Sequence, residues 1–178
     1  MTGLLMNVLE EAVSGEWGDD MWDDLVEDCD LEGAYTAVGN YPDAELVEVA
    51  GAASSRLGAP VEDVLRVLGR LSFTPLIRRY PDFADDASSL REFLPRVNGM
   101  IHPEVLKLYP GASVPRFALR DDGGTLEMDY ESVRDLCMLA EGLVLGSADH
   151  FGESVSVHQT SCKHRGDSRC TIRIEGAV

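Results

Sequence analysis

The apolar residues of this chain change period near Tyr109, and that change limits the fold more than any other feature. Before it they recur at helical spacing. LLMNVLEEAV and DDMWDDLVEDC read as helices, and so does the segment 41–57, where Asp43 is placed to cap. PVEDVLRVLGRLSF starts on Pro60 and repeats Val61, Val64, Leu65 and Leu68 on one face. A further helical stretch runs from Ser88 to Pro110, interrupted by Pro95 and Pro103. After Tyr109 the period falls to two. PGASVPRFALRDDGGTLEMDYESV reads as a hairpin turning at DDGG, and a helix follows over Arg134–His150. ESVSVHQTSCKHRGDSRCTIRIEG reads as a second hairpin turning at HRGDS. Helices first, then strands mixed with a helix, predict an α+β fold: a helical N-terminal part packed on a C-terminal part with an antiparallel sheet and helices. No linker or repeat divides the 178 residues, so one domain is expected over 1–178, with a helical subdomain over about 1–60 and the remainder over about 61–178.

Charge narrows the function. Fifteen basic against 32 acidic residues give a net charge of −17, a field that repels nucleic-acid backbones and anionic membrane surfaces. The N-terminus has no basic segment before its apolar run. No stretch approaches the ~18 apolar residues of a membrane helix. A cytoplasmic protein is expected, whose four cysteines are free thiols or metal ligands. There is no Gly-x-Ser-x-Gly elbow, P-loop or dinucleotide fingerprint, so no catalytic activity is expected.

Two features bear chemistry. His102 lies among Met100, Ile101, Val105, Leu106 and Leu108, which suits either a neutral buried histidine or a metal ligand. Pro103 pushes it away from helical geometry, to a kink or a helix start. In MDYESVRDLC, Tyr130, Ser132 and Arg134 alternate, so a continuous strand would aim all three one way. That row is either a wet strand face or a clamp for a carboxylate, with the guanidinium fork supplying two parallel bonds.

Tyr130-Glu131-Ser132-Val133-Arg134 matches the Tyr-x-Ser-x-Arg motif of the haem nitric oxide/oxygen-binding (H-NOX) domains, the family that includes the sensor part of soluble guanylate cyclases. His102, followed by KLYPGASVPRF, resembles the family's proximal histidine, and the similarity extends from GLLMNVLEEAV to AEGLVLGSADHF. The resemblance implies haem b buried between the two parts of the fold. His102 would ligate its iron, Tyr130, Ser132 and Arg134 would hold its propionates, and Pro115 and Leu5 would press on the porphyrin. The gas-binding side would be formed by Leu5, Leu9, Ser72, Phe73 and Leu139. Oxygen-binding members carry a tyrosine where this chain has Leu139, so nitric oxide, with carbon monoxide as a second ligand, is the expected gas. The resemblance further implies that gas binding weakens the iron–His102 bond and shifts the N-terminal part against the rest. A separate histidine kinase or cyclic-di-GMP enzyme would read the change.

A subset of the family carries zinc near its last hairpin. Here Cys137, His158, Cys162 and Cys170 would supply three thiolates and an imidazole, with His164 as an alternative ligand. His158 is one residue out of the expected spacing, and Gln159 occupies that slot. Cys29 fits neither site. Two other readings compete: a zinc-containing regulatory module that binds a non-haem ligand, and an oxygen-binding haem protein.

Overall fold

The computed structural model describes residues 1–177. Four helices come first: α1 (Gly3–Trp17), α2 (Asp19–Asp28), α3 (Asp43–Leu57) and α4 (Val61–Arg79). Asp43 does not cap α3. Pro42 takes that place, and the Asp43 carboxylate instead holds the N-terminal ammonium at 2.6 Å. Helix α4 runs beyond its predicted end, through Pro75. The segment broken by prolines becomes α5 (Leu90–Arg96), a π-helical turn (Val97–Ile101) and α6 (His102–Leu108); His102 opens a helix, but Pro103 does not push it out of helical geometry, since it sits at φ −62°, ψ −41°.

Strands β1 (Arg116–Asp121) and β2 (Thr125–Glu131) form the first hairpin, helix α7 (Cys137–His150) follows, and β3 (Ser156–Ser161) and β4 (Cys170–Glu175) form the second. The sheet is antiparallel in the order β1-β2-β4-β3, an α+β architecture as the pattern predicts. On β2, alternation buries Leu126, Met128 and Tyr130. Helix α7 is buried almost all round, which is why its sequence shows little amphipathic contrast.

Helices α4 and α7 touch backbone to backbone. A Cβ on Gly69 would lie 2.3 Å from the Leu139 carbonyl, and one on Gly142 would lie 2.1 Å from that of Arg66. Beside these glycines, Glu141 is 2% exposed and pairs with Arg66 at 2.6 Å. This close crossing sets how far Phe73 on α4 stands from Leu139 on α7.

Candidate functional site

The helices and the sheet enclose an apolar cavity of about 270 Å³. Its walls come from α1 (Leu4, Leu5), α4 (Phe73, Leu76, Ile77), the segment around His102, β2 and α7. Polar groups gather in two places.

The first is His102. Its Nδ1 is buried without a well-aligned hydrogen bond, although the Pro115 carbonyl lies close enough to act on the ring. Burial pushes the imidazole below its ordinary pKa, an effect the Pro115 carbonyl only partly offsets, so the ring is neutral at pH 7. The Phe117 ring lies 5.6 Å from it, and the Tyr130 ring lies 5.9 Å beyond Phe117. A neutral imidazole with an unsatisfied buried nitrogen, on the wall of an apolar cavity, is chemically suited to hold a metal.

The second is the group at the end of β2. The alternation predicts a continuous strand row, but the strand stops at Glu131 and only Tyr130 belongs to it. Ser132 and Arg134 lie in the turn leading to α7, which closes on Asp135 at φ 51°. Here the side chains tie the backbone. Tyr130 Oη accepts from Leu136 N at 3.1 Å, which serves an N–H at the start of α7. Ser132 Oγ accepts from Arg134 N at 3.1 Å. The Arg134 side chain is 13% exposed; Nη1 donates to the Ser113 carbonyl at 2.7 Å, while Nε meets Asp43 at 2.9 Å as an ion pair without the alignment of a hydrogen bond. Burial works to raise the Asp43 carboxyl, yet the hydrogen bond from the N-terminal ammonium and the adjacent Arg134 guanidinium hold it below the usual carboxylate range. Part of the Arg134 fork is therefore free for another anion at the cavity edge. All three motif residues line the cavity, so the chemistry of the row survives although its strand geometry does not.

Of the residues expected on the gas side, Leu5, Phe73 and Leu139 line the cavity, as does Pro115. Leu9 and Ser72 do not. Leu9 is 1% exposed within the core beyond Leu5, and Ser72, one step round α4 from Phe73, is buried with no partner for its hydroxyl. Sequence reasoning missed Ser147, which does line the cavity and donates to the Val144 carbonyl at 2.8 Å. Leu143 and Val144 were missed as well. Leu139, Leu143 and Ser147 sit at i, i+4 and i+8, so helical spacing from Leu139 was the available signal.

Away from the cavity, Cys137, Cys162 and Cys170 are buried with their sulfurs within 4.8 Å of one another. Burial, then the Cys170 thiol beside it, push the Cys137 thiol up. The two histidines named with them are not part of this cluster. Strand alternation turns His158 outward on β3 and brings Gln159 Oε1 to 3.7 Å from Cys137 Sγ. His164 is exposed, its Nε2 donating to the Asp135 carbonyl at 2.6 Å. Cys29 is half-buried and apart from the cluster.

An apolar cavity with one orphan imidazole nitrogen and an arginine at its edge fits a flat apolar group that carries carboxylates and a metal. Comparison with known proteins agrees. A crystal structure of an H-NOX protein from Shewanella oneidensis in the Fe(II)NO ligation state is 30% identical, with a TM-score of 0.91 over 98% of both chains. An NMR structure of an H-NOX domain from that organism in the Fe(II)CO state is also 30% identical, with a TM-score of 0.87 and 98% of each chain covered. A crystal structure of the Fe(II) unliganded H-NOX protein from K. algicida is 25% identical, with a TM-score of 0.84 over 98% of this chain and 96% of the other. The Haem-NO-binding family matches residues 2–159. On that match, and on the fold and cavity that accompany it, the chain belongs to the Haem-NO-binding family of H-NOX haem-binding gas-sensor domains.

Proposed function

We propose that this chain is a cytoplasmic, non-catalytic nitric oxide sensor that signals to a separate protein, a histidine kinase or a cyclic-di-GMP enzyme. Haem b, when bound, supplies a ferrous iron that takes a diatomic gas. His102 would hold that iron through its ring, and Arg134, with Tyr130 and Ser132 shaping the turn, would meet the propionates. Pro115 and Leu5, on the cavity walls, would bear on the porphyrin. The helices over about 1–60 and the remainder form the two parts whose relative position carries the signal.

One observation carries the choice of gas: among the described residues, those of α4 and α7 that line the cavity are apolar save Ser147, whose hydroxyl donates to the Val144 carbonyl. Leu139, Leu143, Val144 and Phe73 stand on that wall, and Tyr80, just past the end of α4, is engaged with Tyr109. Bound oxygen carries partial negative charge and needs a donor, whereas nitric oxide does not. Carbon monoxide is expected to bind for the same reason. Ferrous protein treated anaerobically with nitric oxide should give an absorption spectrum in which the His102 ligand is lost. A stable oxygen complex in air would sink the assignment of the gas, and a protein that refuses haem would sink the whole reading.

The thiol cluster supports a second, structural zinc. The Cys137 and Cys162 sulfurs are 3.8 Å apart, the separation expected at two corners of a tetrahedral ion with ~2.3 Å zinc–sulfur bonds. Gln159 Oε1 lies 3.7 Å from Cys137 Sγ, whereas His158 and His164 are not part of the thiol cluster. Metal analysis of the wild type and of Cys162→Ser decides this, since equal zinc content in both removes the proposal.

A further inference from the structure

We infer that Asn98 is a positioning residue for His102: its carboxamide pins the segment carrying the proximal histidine to the edge of the sheet. The inference rests on the reading of His102 as the iron ligand. The segment from Pro95 to Leu108 is anchored only partly by packing, with Val97 and Ile101 half-buried against the core. Neither the π-helical turn nor α6 has a buried residue, and Met100, Leu106 and Leu108 are exposed. Pro95 and Pro103 lack backbone N–H groups, so the internal ladder is thinned on both sides of the turn. Helices held this weakly by packing take their position from their few directed contacts.

Arg96 reaches Asp86 at the start of the segment, and two further contacts bracket His102. Asn98 Nδ2 donates to the Phe117 carbonyl, and Phe117 N donates to Asn98 Oδ1 at 3.3 Å. Strand β1 is an edge strand, and Phe117 faces Tyr130 of β2 across the pair. The carboxamide thus offers a donor and an acceptor to the open edge as a neighbouring strand would. Asn98 and His102 are four residues apart on one helical face, and both meet Phe117, one at its backbone and the other at its ring. Asn98 therefore fixes the separation between the imidazole and Tyr130. The second contact closes the far end of α6, where the hydroxyl of Tyr109 bonds that of Tyr80 at the end of α4. Burial, then the Tyr80 hydroxyl, push Tyr109 up to about 12, so this tie is neutral and intact at pH 7. Helix α6 is thus a short lever held at Asn98 and latched at Tyr109, with the imidazole at its root.

Asn98→Ala and Tyr109→Phe, each in the full chain, test this. In apo protein, amide hydrogen exchange over residues 102–108 should speed at least threefold in both variants. In Tyr109→Phe, β1 and β2 should keep wild-type protection. In the haem-loaded ferrous protein, the iron–His102 stretching band should move in resonance Raman, and the His102 ligand should be lost at least threefold faster on adding nitric oxide. Asn98 acting only as an edge guard would speed exchange in β1 and leave α6, the band and the rate at wild-type values; that result overturns the inference. If Asn98→Ala does not fold, Asn98→Asp, which keeps the acceptor for Phe117 N and loses the donor to the Phe117 carbonyl, is measured in its place with the same expected and overturning results. A wild type that shows no iron–His102 band fails the haem reading itself. A normal wild-type band left unmoved in the variants fails only the positioning role.

Discussion

Replacing Gly142 by alanine should separate α4 from α7 and open the cavity between them. The added Cβ would lie 2.1 Å from the Arg66 carbonyl, 2.8 Å from Arg70 N and 2.8 Å from the Gly69 Cα, all backbone atoms of α4. Ordinary contact begins at 3.4 Å, so the helices must part by about 1.3 Å along the worst contact, and no side chain can swing away to relieve it. Overpacking costs ~1–3 kcal/mol, and a backbone collision belongs at the upper end of that range. Alanine returns about 1 kcal/mol through its better helix propensity. The net expected loss is ~2 kcal/mol, or roughly 4–8 °C in Tm for a chain of this length. Gly51 on α3 is the matched control, because its Cβ would meet nothing within 4 Å. Gly51→Ala should therefore stabilise by up to ~1 kcal/mol. Urea unfolding of the three proteins measures both signs. Gly142→Ala at wild-type stability, or both alanines shifting together, would refute the close-packing argument.

Three further outcomes are expected. Leu139→Tyr places a phenol on the apolar cavity wall and should confer an oxygen complex that persists in air, followed by absorption spectroscopy. Arg134→Ala removes the guanidinium at the cavity edge; a charge-assisted bond of ~1.5–3 kcal/mol corresponds to ~10–100-fold weaker retention of haem, measured by transfer to an excess of apomyoglobin. The Asp129 carboxyl is held at about 2, against an ordinary 3.8, first by hydrogen bonding from Arg120 and then, against the opposing effect of burial, by Thr171. Because its pKa is depressed, the unfolded chain takes up the proton first as pH falls. The stabilisation is thus complete above about 4 and lost towards about 2, and thermal melts of Asp129→Asn should show a flatter dependence across that window.

What the sequence revealed follows from which forces act locally. The helix and strand periods are written along the chain, and the helices and both hairpins follow them, with boundary shifts where tertiary contacts intervene. Helix α4 continues through Pro75, a residue that local rules alone would treat as a break. Asp43 carries a capping signal, but the ammonium and Arg134 compete for its carboxylate and leave Pro42 at the cap. The motif residues were legible because their chemistry is unusual for a chain of this charge. Ser147 was not: a serine in an apolar helix announces nothing until the crossing with α4 decides which face meets the cavity. Leu9, Ser72 and His158 mark the same limit, since the side a residue faces depends on how elements pack, and one step along a strand or helix reverses or rotates it.

The turn after β2 shows why the clamp and the thiol cluster sit together. Tyr130 faces Cys170 across the β2–β4 pair, and its hydroxyl accepts from Leu136, the residue before Cys137. Asp135, between Arg134 and Leu136, binds Lys163 at 2.9 Å and takes the His164 ring N–H on its carbonyl, while Lys163 N donates to Cys170 Sγ at 3.4 Å. The seven residues from Glu131 to Cys137 therefore connect the anion-binding edge of the cavity to the buried thiols without an intervening flexible segment. Asp135 takes φ 51°, a left-handed conformation that aspartate tolerates better than most residues, and the contacts on both sides hold it there. The restraint fixes the direction of Arg134. In a chain of net charge −17, a guanidinium free to move would find other carboxylates, so the rigidity of the turn keeps positive charge aimed at the cavity.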